Sequence, residues 1–372
     1  MRSLLGACLL LLACGDDATA SLLDDDTVLY PGSDWESAEP AQLGLDAEKL
    51  DALVTAADAN DSHCVMITRK GRLVGEWYFD GWSRDSRQIV HSVTKSFTSA
   101  LVGIAQDRGL LRIQEPASKW ITEWAGTDSA GVTVKHLLSN DSGREWTFIK
   151  DYLQMAGTAS DKTAFAVGLA QAEPPGTFWE YNNSAIQTLE RVLEKATQGD
   201  VDAFARTNLF APLGIGAQFG KDAAGNTLTF GNLSASCDDL MRFGYMLLRK
   251  GKWQDTQVVS EAYVAEATKV SQPLNAAYGY LFWLNNDGHF VLPSAPGRKE
   301  GDGKQIEKLP TSTFSALGLG GQLVTVVPEL ELVMTRIGGN PDPAAALASG
   351  GDPVGQDVVG ALGNALGDAI KR

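Results

Sequence analysis

Strand-like runs are concentrated towards the two ends of this chain, with helical patterns between them. In the first part, residues 64–68 and 73–79 are rich in β-branched and aromatic side chains and predict a hairpin. Near the other end, residues 323–327 and 331–336 flank a Pro-containing turn and predict a second hairpin. We therefore predict an α+β fold, in which one antiparallel sheet is built from both termini and a mostly helical domain is inserted.

The helical patterns divide this predicted domain, residues 43–372, into two parts. Apolar residues recur at helical spacing in residues 45–54, 184–196 and 238–248, and again at the C-terminus, where the last helix is predicted to pack on the sheet. We predict an α/β part formed by about 43–110 and 275–372, and a helical part over about 111–274. A further strand is predicted at residues 278–283, and an exposed loop from about 285 to 310, which is charged and contains Gly and Pro.

The first 13 residues have the pattern of a targeting segment. Arg2 supplies positive charge, and residues 4–12 form an apolar stretch that is too short to span a bilayer. The segment ends in Leu-Leu-Ala before Cys14 and resembles the bacterial lipoprotein signal. That resemblance implies cleavage before Cys14, lipidation of its thiol and a membrane-anchored, exported protein; an ordinary cleaved signal peptide is the alternative.

Residues 14–42 are acidic and lack periodicity, which predicts a flexible tether. The formal net charge of −15 argues against a nucleic-acid partner, which would require a basic surface. Cys64 and Cys237 remain after the targeting segment in a compartment that permits disulfides, but the sequence leaves open whether they pair or are buried thiols.

Ser92 and Lys95 form an S-x-x-K motif at the start of a predicted helix. The apolar residues after it recur at helical spacing: Phe97, Leu101 and Ile104. Residues three apart lie side by side on a helix, so Lys95 is placed next to Ser92. A lysine whose neutral form is favoured by burial can remove the serine proton, and helix N-terminal amides can stabilise a negative oxygen.

Two later motifs could complete a catalytic site. Tyr181 and Asn183 form a Y-x-N motif between a Pro/Gly loop and a helix, where a tyrosine could shuttle a proton and an asparagine could bind Lys95 or a substrate amide. The Gly-rich residues 318–322 lie directly before a strand, where a backbone can approach a ligand closely. A backbone N–H there could be the second donor of an oxyanion hole.

Taken together and in this order, the three motifs resemble the serine β-lactamase and penicillin-binding superfamily. The likeness is greatest to class C β-lactamases, family VIII carboxylesterases and aminohexanoate-oligomer hydrolases, and it runs from about residue 43 to the C-terminus. The resemblance implies a β-lactamase/transpeptidase-like fold and an enzyme that needs no cofactor or metal. It also implies that Ser92 becomes acylated and that Lys95 and Tyr181 share the role of the base.

The same resemblance implies supporting roles for three further residues. Asn183 would orient Lys95 and contact the substrate, together with Gly321 and Gln322 in the third motif. The N–H groups of Ser92 and Gln322 would form the oxyanion hole.

The third motif departs from the β-lactamase pattern, because Leu319 stands where a lysine, histidine or tryptophan is usual. A cation there would pair with the carboxylate of a β-lactam, although Arg298 or Lys299 could replace it. We therefore expect a serine hydrolase of small neutral esters or amides. The alternatives are a β-lactamase, a D-alanyl-D-alanine peptidase and a non-catalytic sensor; the natural substrate and the oligomeric state stay open.

Overall fold

The structure, a computed structural model, describes residues 28–293, 298–339 and 356–371. Its α-helices are α1 (Ala47–Ala59), α2 (Val93–Asp107), α3 (Val134–Ser139), α4 (Lys162–Gly168), α5 (Asn183–Thr197), α6 (Val201–Ala205), α7 (Ala211–Leu213), α8 (Cys237–Leu248), α9 (Glu261–Ala267) and α10 (Gln356–Ala369). Two segments are π-helical, Ile149–Thr158 and Arg206–Phe210. The short 3-10 turns are Pro40–Leu43, Ala117–Lys119, Thr122–Trp124, Asp128–Gly131 and Pro328–Leu330.

The described strands are β1 (Ser62–Arg69), β2 (Arg72–Tyr78), β3 (Gln88–Ile89), β4 (Gln218–Phe219), β5 (Leu233–Ala235), β6 (Lys252–Trp253), β7 (Thr256–Gln257), β8 (Trp283–Leu284), β9 (His289–Pro293), β10 (Arg298–Asp302), β11 (Phe314–Gly318), β12 (Gln322–Val327) and β13 (Leu332–Gly338). Six of them form the main antiparallel sheet, in the order β2-β1-β13-β12-β11-β8. Because β1 pairs with β13, the first hairpin joins the second in one sheet, which confirms the predicted α+β architecture.

Each face of the sheet is covered by helices from distant parts of the chain. Alternating strand residues such as Val65 and Ile67 pack with α1 and α10 in one apolar cluster. On the other face, Met66 and Val333 pack with α2 and α8. Helix α8, which lies in the sequence range predicted as the helical part, packs mainly against β1, β12 and β13 and so covers this face of the sheet.

Two predictions near the end of the chain are wrong in detail. Of the strand predicted at residues 278–283, only Trp283 is in β8, because Leu281 has a φ of +62° and the chain turns back to form a bridge between Tyr278 and Trp283. The predicted exposed loop after it contains the hairpin of β9 and β10. The charged residues of β10 lack the apolar alternation from which a strand is predicted.

Residues 28–42 of the predicted tether pack against the rest of the protein. The Trp35 side chain is buried and its Nε1 donates to Asp238 Oδ1 at 2.7 Å, while Arg242 Nη2 donates to the carbonyl of Gly32 at 3.0 Å. The targeting segment, Cys14 and the first part of the tether lie outside the described residues. Within the described ranges, no helix is long and apolar enough to cross a membrane.

A disulfide joins Cys64 of β1 to Cys237 at the start of α8. The two residues are 173 positions apart, and both are buried in the cluster between the sheet and α8. The bond therefore fixes the sheet to the helix that covers it, and it answers the pairing question that the sequence left open.

Replacing both cysteines with alanine should lower the free energy of unfolding by about 2–5 kcal/mol, because a long loop in the unfolded chain is no longer closed. Urea denaturation of the double variant beside the oxidised wild type measures this difference. Equal midpoints and slopes for the two proteins would contradict a stabilising role for the bond.

Candidate active site

Ser92 stands at the point where a short strand gives way to helix α2. His91 has a φ of +47°, in the left-handed region, and this turns the chain sharply into the helix. Every residue from Val93 to Ala105 is buried, so α2 runs through the core. Thr94 Oγ1 accepts from the Leu233 N–H at 3.0 Å, which helps to hold the first turn in place.

Lys95 lies one turn into α2, beside Ser92, as the S-x-x-K spacing predicts. Its Nζ is 2.7 Å from Ser92 Oγ and 2.7 Å from the carbonyl oxygen of Phe230, and only 1% of the residue is exposed. Burial lowers the pKa of Lys95 to about 7, although the negative charge of Asp151 acts in the opposite direction. A large fraction of this lysine is therefore neutral near neutral pH and able to accept a proton.

Tyr181 completes a triangle with these two residues. Its hydroxyl is hydrogen-bonded to the Ser92 side chain, and Lys95 Nζ lies 4.8 Å from the centroid of its ring. The ring stacks on Trp283 with centroids 5.6 Å apart. Burial raises the pKa of Tyr181, so at neutral pH its hydroxyl is protonated and can donate as well as accept.

Asn183 makes contacts that differ from the predicted ones. Its Nδ2 donates to Asp151 Oδ2 at 2.8 Å, and Lys95 is held instead by Ser92 and Phe230. Asp151 also accepts from the N–H and the hydroxyl of Ser184, at 2.7 and 2.6 Å, at the first turn of α5. Asn183 thus connects to Lys95 through Asp151, whose charge acts on the lysine, rather than by a direct bond.

The third motif is a hairpin turn, and the structure brings Gly318 next to Ser92. A Cβ added to Gly318 would lie 3.2 Å from Ser92 N and 2.4 Å from the carbonyl oxygen of Val90. Gln322 begins β12 opposite Gly318, and its side chain is bonded to the backbone of Gly338. The side chain of Gln322 thus anchors the hairpin, while the roles of its N–H in the oxyanion hole and of Gln322 in substrate binding stay predictions.

Gly321 lies in the same turn, with a φ of +74°. Its N–H donates to the Gly318 carbonyl at 3.0 Å, and its own carbonyl accepts from Arg336. These contacts give it a role in shaping the turn.

A cavity of about 260 Å³ adjoins the segment that carries Tyr181. It is lined by polar and aromatic side chains that include Asn140, Trp146, Phe178, Glu180 and Asn182. Arg298, predicted as a possible replacement cation, reaches this region: it donates to the Trp179 carbonyl at 3.0 Å and packs 4.6 Å from the Phe178 ring. Its charge is already paired with Glu300 at 2.8 Å.

Sequence reasoning missed Asp151, Phe230 and Gly318. Asp151 and Phe230 belong to no recognisable motif. Each is brought to the site by tertiary contacts, which local sequence patterns do not reveal. Gly318 was within the predicted Gly-rich stretch, but the sequence pattern does not show which residue of that stretch lies next to Ser92. Across the described ranges, no three histidine, cysteine or acidic residues are grouped to hold a metal ion.

Comparisons with known proteins agree on one family. The profile described as Beta-lactamase matches residues 50–338. The 6-aminohexanoate-dimer hydrolase of Paenarthrobacter ureafaciens is 22% identical over 341 residues, covering 85% of this chain and 84% of that protein.

Two solved structures show the same fold at low identity. EstCE1, described as a hydrolase with promiscuous acyltransferase activity, superposes with a TM-score of 0.65 at 14% identity, covering 88% of this chain and 98% of that one. The octameric penicillin-binding protein homologue from Pyrococcus abyssi has a TM-score of 0.59 at 19% identity, covering 82% and 78%.

The rate at which a fluorophosphonate labels Ser92 should rise as pH increases and level off above a midpoint near pH 7, because Lys95 accepts the serine proton only when neutral. Asp151→Asn should move the midpoint to lower pH, since it removes the charge that raises the pKa of Lys95. Stopped-flow or gel-based labelling across the pH range measures both curves. A rate that does not change with pH, or one that rises only near the pKa of an ordinary exposed lysine, would contradict the role of Lys95 as the base.

Proposed function

Because this chain belongs to the beta-lactamase family and its hydrolase relatives mark it as an enzyme of that family, we propose that it is a serine hydrolase. It forms an acyl-enzyme on Ser92 and acts on small neutral esters or amides. The observation that carries this proposal is the 2.7 Å contact between Ser92 Oγ and the wholly buried Lys95 Nζ.

Acylation begins with proton transfer along this contact. Neutral Lys95 takes the proton of Ser92 as Oγ attacks the substrate carbonyl carbon, which breaks the carbonyl π bond and places a negative charge on its oxygen. The Phe230 carbonyl accepts a hydrogen bond from Lys95 and holds the amine towards Ser92 before and after the transfer.

The negative oxygen requires two N–H donors, and Ser92 supplies the first from the N-terminus of α2. We assign the second to Leu319 instead of Gln322. The Gly318 carbonyl points into the turn, where it accepts from Gly321. Since N–H and C=O of a trans peptide point in opposite directions, the Leu319 N–H is directed to the other side of β11. Among the described residues, β8 pairs on that side with Phe314 and Ser315, and we infer that the end of β11 beyond them receives the substrate carbonyl beside Ser92.

Collapse of the tetrahedral intermediate expels the alcohol or amine. Tyr181 is hydrogen-bonded to Ser92 and has its own proton, so it delivers one to the leaving oxygen or nitrogen and is reprotonated from Lys95. The neutral lysine then removes a proton from a water molecule, whose oxygen attacks the acyl carbon. The bond between Ser92 Oγ and the acyl carbon then breaks, the acid is released, and Oγ regains its proton from Lys95 and Tyr181.

Neutral substrates suit the groups that surround this reaction. Tyr181 is packed against Tyr278 and Trp283, which provide an apolar aromatic wall. The nearby cation, Arg298, is engaged by Glu300 and by the Trp179 carbonyl, so it offers little to a substrate carboxylate. The relatives named as a 6-aminohexanoate-dimer hydrolase and as a hydrolase with acyltransferase activity support an acyl-transfer reaction, without bearing on the charge of the substrate.

We also propose that the protein acts outside the cytosol, anchored through a lipid on Cys14. The lipoprotein-like pattern of residues 1–14 supports this location. The Cys64–Cys237 disulfide supports it as well, because such bonds persist in oxidising compartments.

The purified protein should hydrolyse p-nitrophenyl butyrate with a larger kcat/KM than nitrocefin, because a lost charge-assisted hydrogen bond costs roughly 1.5–3 kcal/mol, or about ten- to a hundredfold in rate. Ser92→Ala should abolish both activities while the protein stays folded. A ratio that favours nitrocefin would move the protein to the β-lactamase alternative. Labelling of Ser92 without any turnover would instead identify a sensor.

A further inference from the structure

Arg336 is a buried arginine in a strand that is mostly apolar. It lies in β13, at the centre of the sheet, and only 1% of it is exposed. Its Nη1 donates to the carbonyls of Gly320 and Gly321, each at 2.8 Å. Nε donates to Ser62 Oγ at 2.6 Å and Nη2 to the Asn60 carbonyl at 2.6 Å. One nitrogen of this side chain thus binds two successive carbonyls of the turn that follows Gly318.

This turn has little intrinsic rigidity. It is closed by the bond from the Gly321 N–H to the Gly318 carbonyl, and its third residue, Gly320, has a φ of +76°, while Leu319 is not in the left-handed region. That combination defines a type II turn. Two successive glycines with positive φ can adopt many other conformations at low cost, so the turn needs an external contact to hold it.

We propose that Arg336 is a positioning residue for catalysis, which holds the turn 318–321 so that the Leu319 N–H is directed at the substrate carbonyl beside Ser92. The inference rests on the proposed function, since an oxyanion matters only if Ser92 is acylated. Arg336 acts through the turn and does not touch the substrate. A charge-assisted bond to each of two adjacent carbonyls fixes the orientation of both peptide groups.

The guanidinium is itself held on several sides. A Cβ added to Gly338 would lie 2.2 Å from Arg336 Nη1, so the guanidinium occupies space that is available only because residue 338 is glycine. Gln322 binds the backbone N–H of Gly338 at 3.0 Å and fixes that part of β13 to the hairpin. Burial lowers the pKa of Arg336 to about 10, which leaves the side chain charged at neutral pH. The charge-assisted bonds from Arg336 to the turn are therefore present before substrate binds.

The test compares Arg336→Met with Arg242→Met. Arg242 is the control: it is 6% exposed and donates to the Gly32 and Ser33 carbonyls at 3.0 and 3.2 Å, and it pairs with Asp238 at 2.8 Å. None of these partners belongs to the proposed site. We expect Arg336→Met to lower kcat for p-nitrophenyl butyrate by about 10- to 100-fold with KM within about threefold, since a misplaced oxyanion donor acts in the transition state. Arg242→Met should lower the melting temperature and leave kcat unchanged.

Binding of an inhibitor that mimics the tetrahedral intermediate distinguishes a positioning role from a purely structural one, because a loss of stability alone would not change its inhibition constant. A simple alkylboronic acid forms a tetrahedral adduct with the serine oxygen, and its inhibition constant should rise in parallel with the loss of kcat. Arg336→Lys, which keeps the charge and can still donate to a carbonyl, should recover part of both losses. If Arg336→Met does not fold, kcat and the inhibition constant are measured on Gly338→Ala instead, because the added methyl group displaces the guanidinium without removing it.

The outcomes separate the two proposals. If the wild type hydrolyses the ester but Arg336→Met or Gly338→Ala loses only stability, with kcat and the boronate constant unchanged, the role of Arg336 is overturned and the proposed function stands. If the wild type neither hydrolyses the ester nor reacts with a fluorophosphonate, both proposals are overturned.

Discussion

The removal of Lys95 from water is the constraint on which the site depends. A lysine with an ordinary pKa would be charged and would not accept the serine proton, whereas burial favours its neutral form and brings the pKa to about 7. Such burial requires that the first turns of α2 lie inside the protein, and all of α2 up to Ala105 does so. The amine is not left unsatisfied, because Ser92 and the Phe230 carbonyl each bind it at 2.7 Å.

The groups that surround Lys95 come from elements far apart in the sequence. Tyr181 precedes α5, Asp151 comes from the π-helical segment Ile149–Thr158, and Gly318 ends a strand of the main sheet. The buried carboxylate of Asp151 ties its segment to the start of α5 through Asn183 and Ser184, so the position of Tyr181 depends on it. The site therefore lies where the helices meet the sheet, and contacts between these layers determine its geometry.

The sequence predicted the parts of this arrangement that depend on local periodicity. The two hairpins, the helix after Ser92 and the spacing of Lys95 follow from residues close together in the chain, and the structure confirms them. Residues that act through tertiary contacts were not predictable. Asp151 belongs to no motif, the sequence did not indicate that the hairpin brings Gly318 next to Ser92, and Arg336 is a single charge in a mostly apolar strand.

The central claim is that Ser92 carries the acyl group during turnover. It is tested most directly by mass spectrometry of the intact protein, quenched in acid within seconds of mixing with a slowly hydrolysed aryl ester. We predict a mass increase equal to one acyl group, located by peptide mapping on the segment that contains Ser92 and absent from Ser92→Ala. Rapid hydrolysis of the ester by Ser92→Ala, or an acyl group found on another residue, would contradict the account.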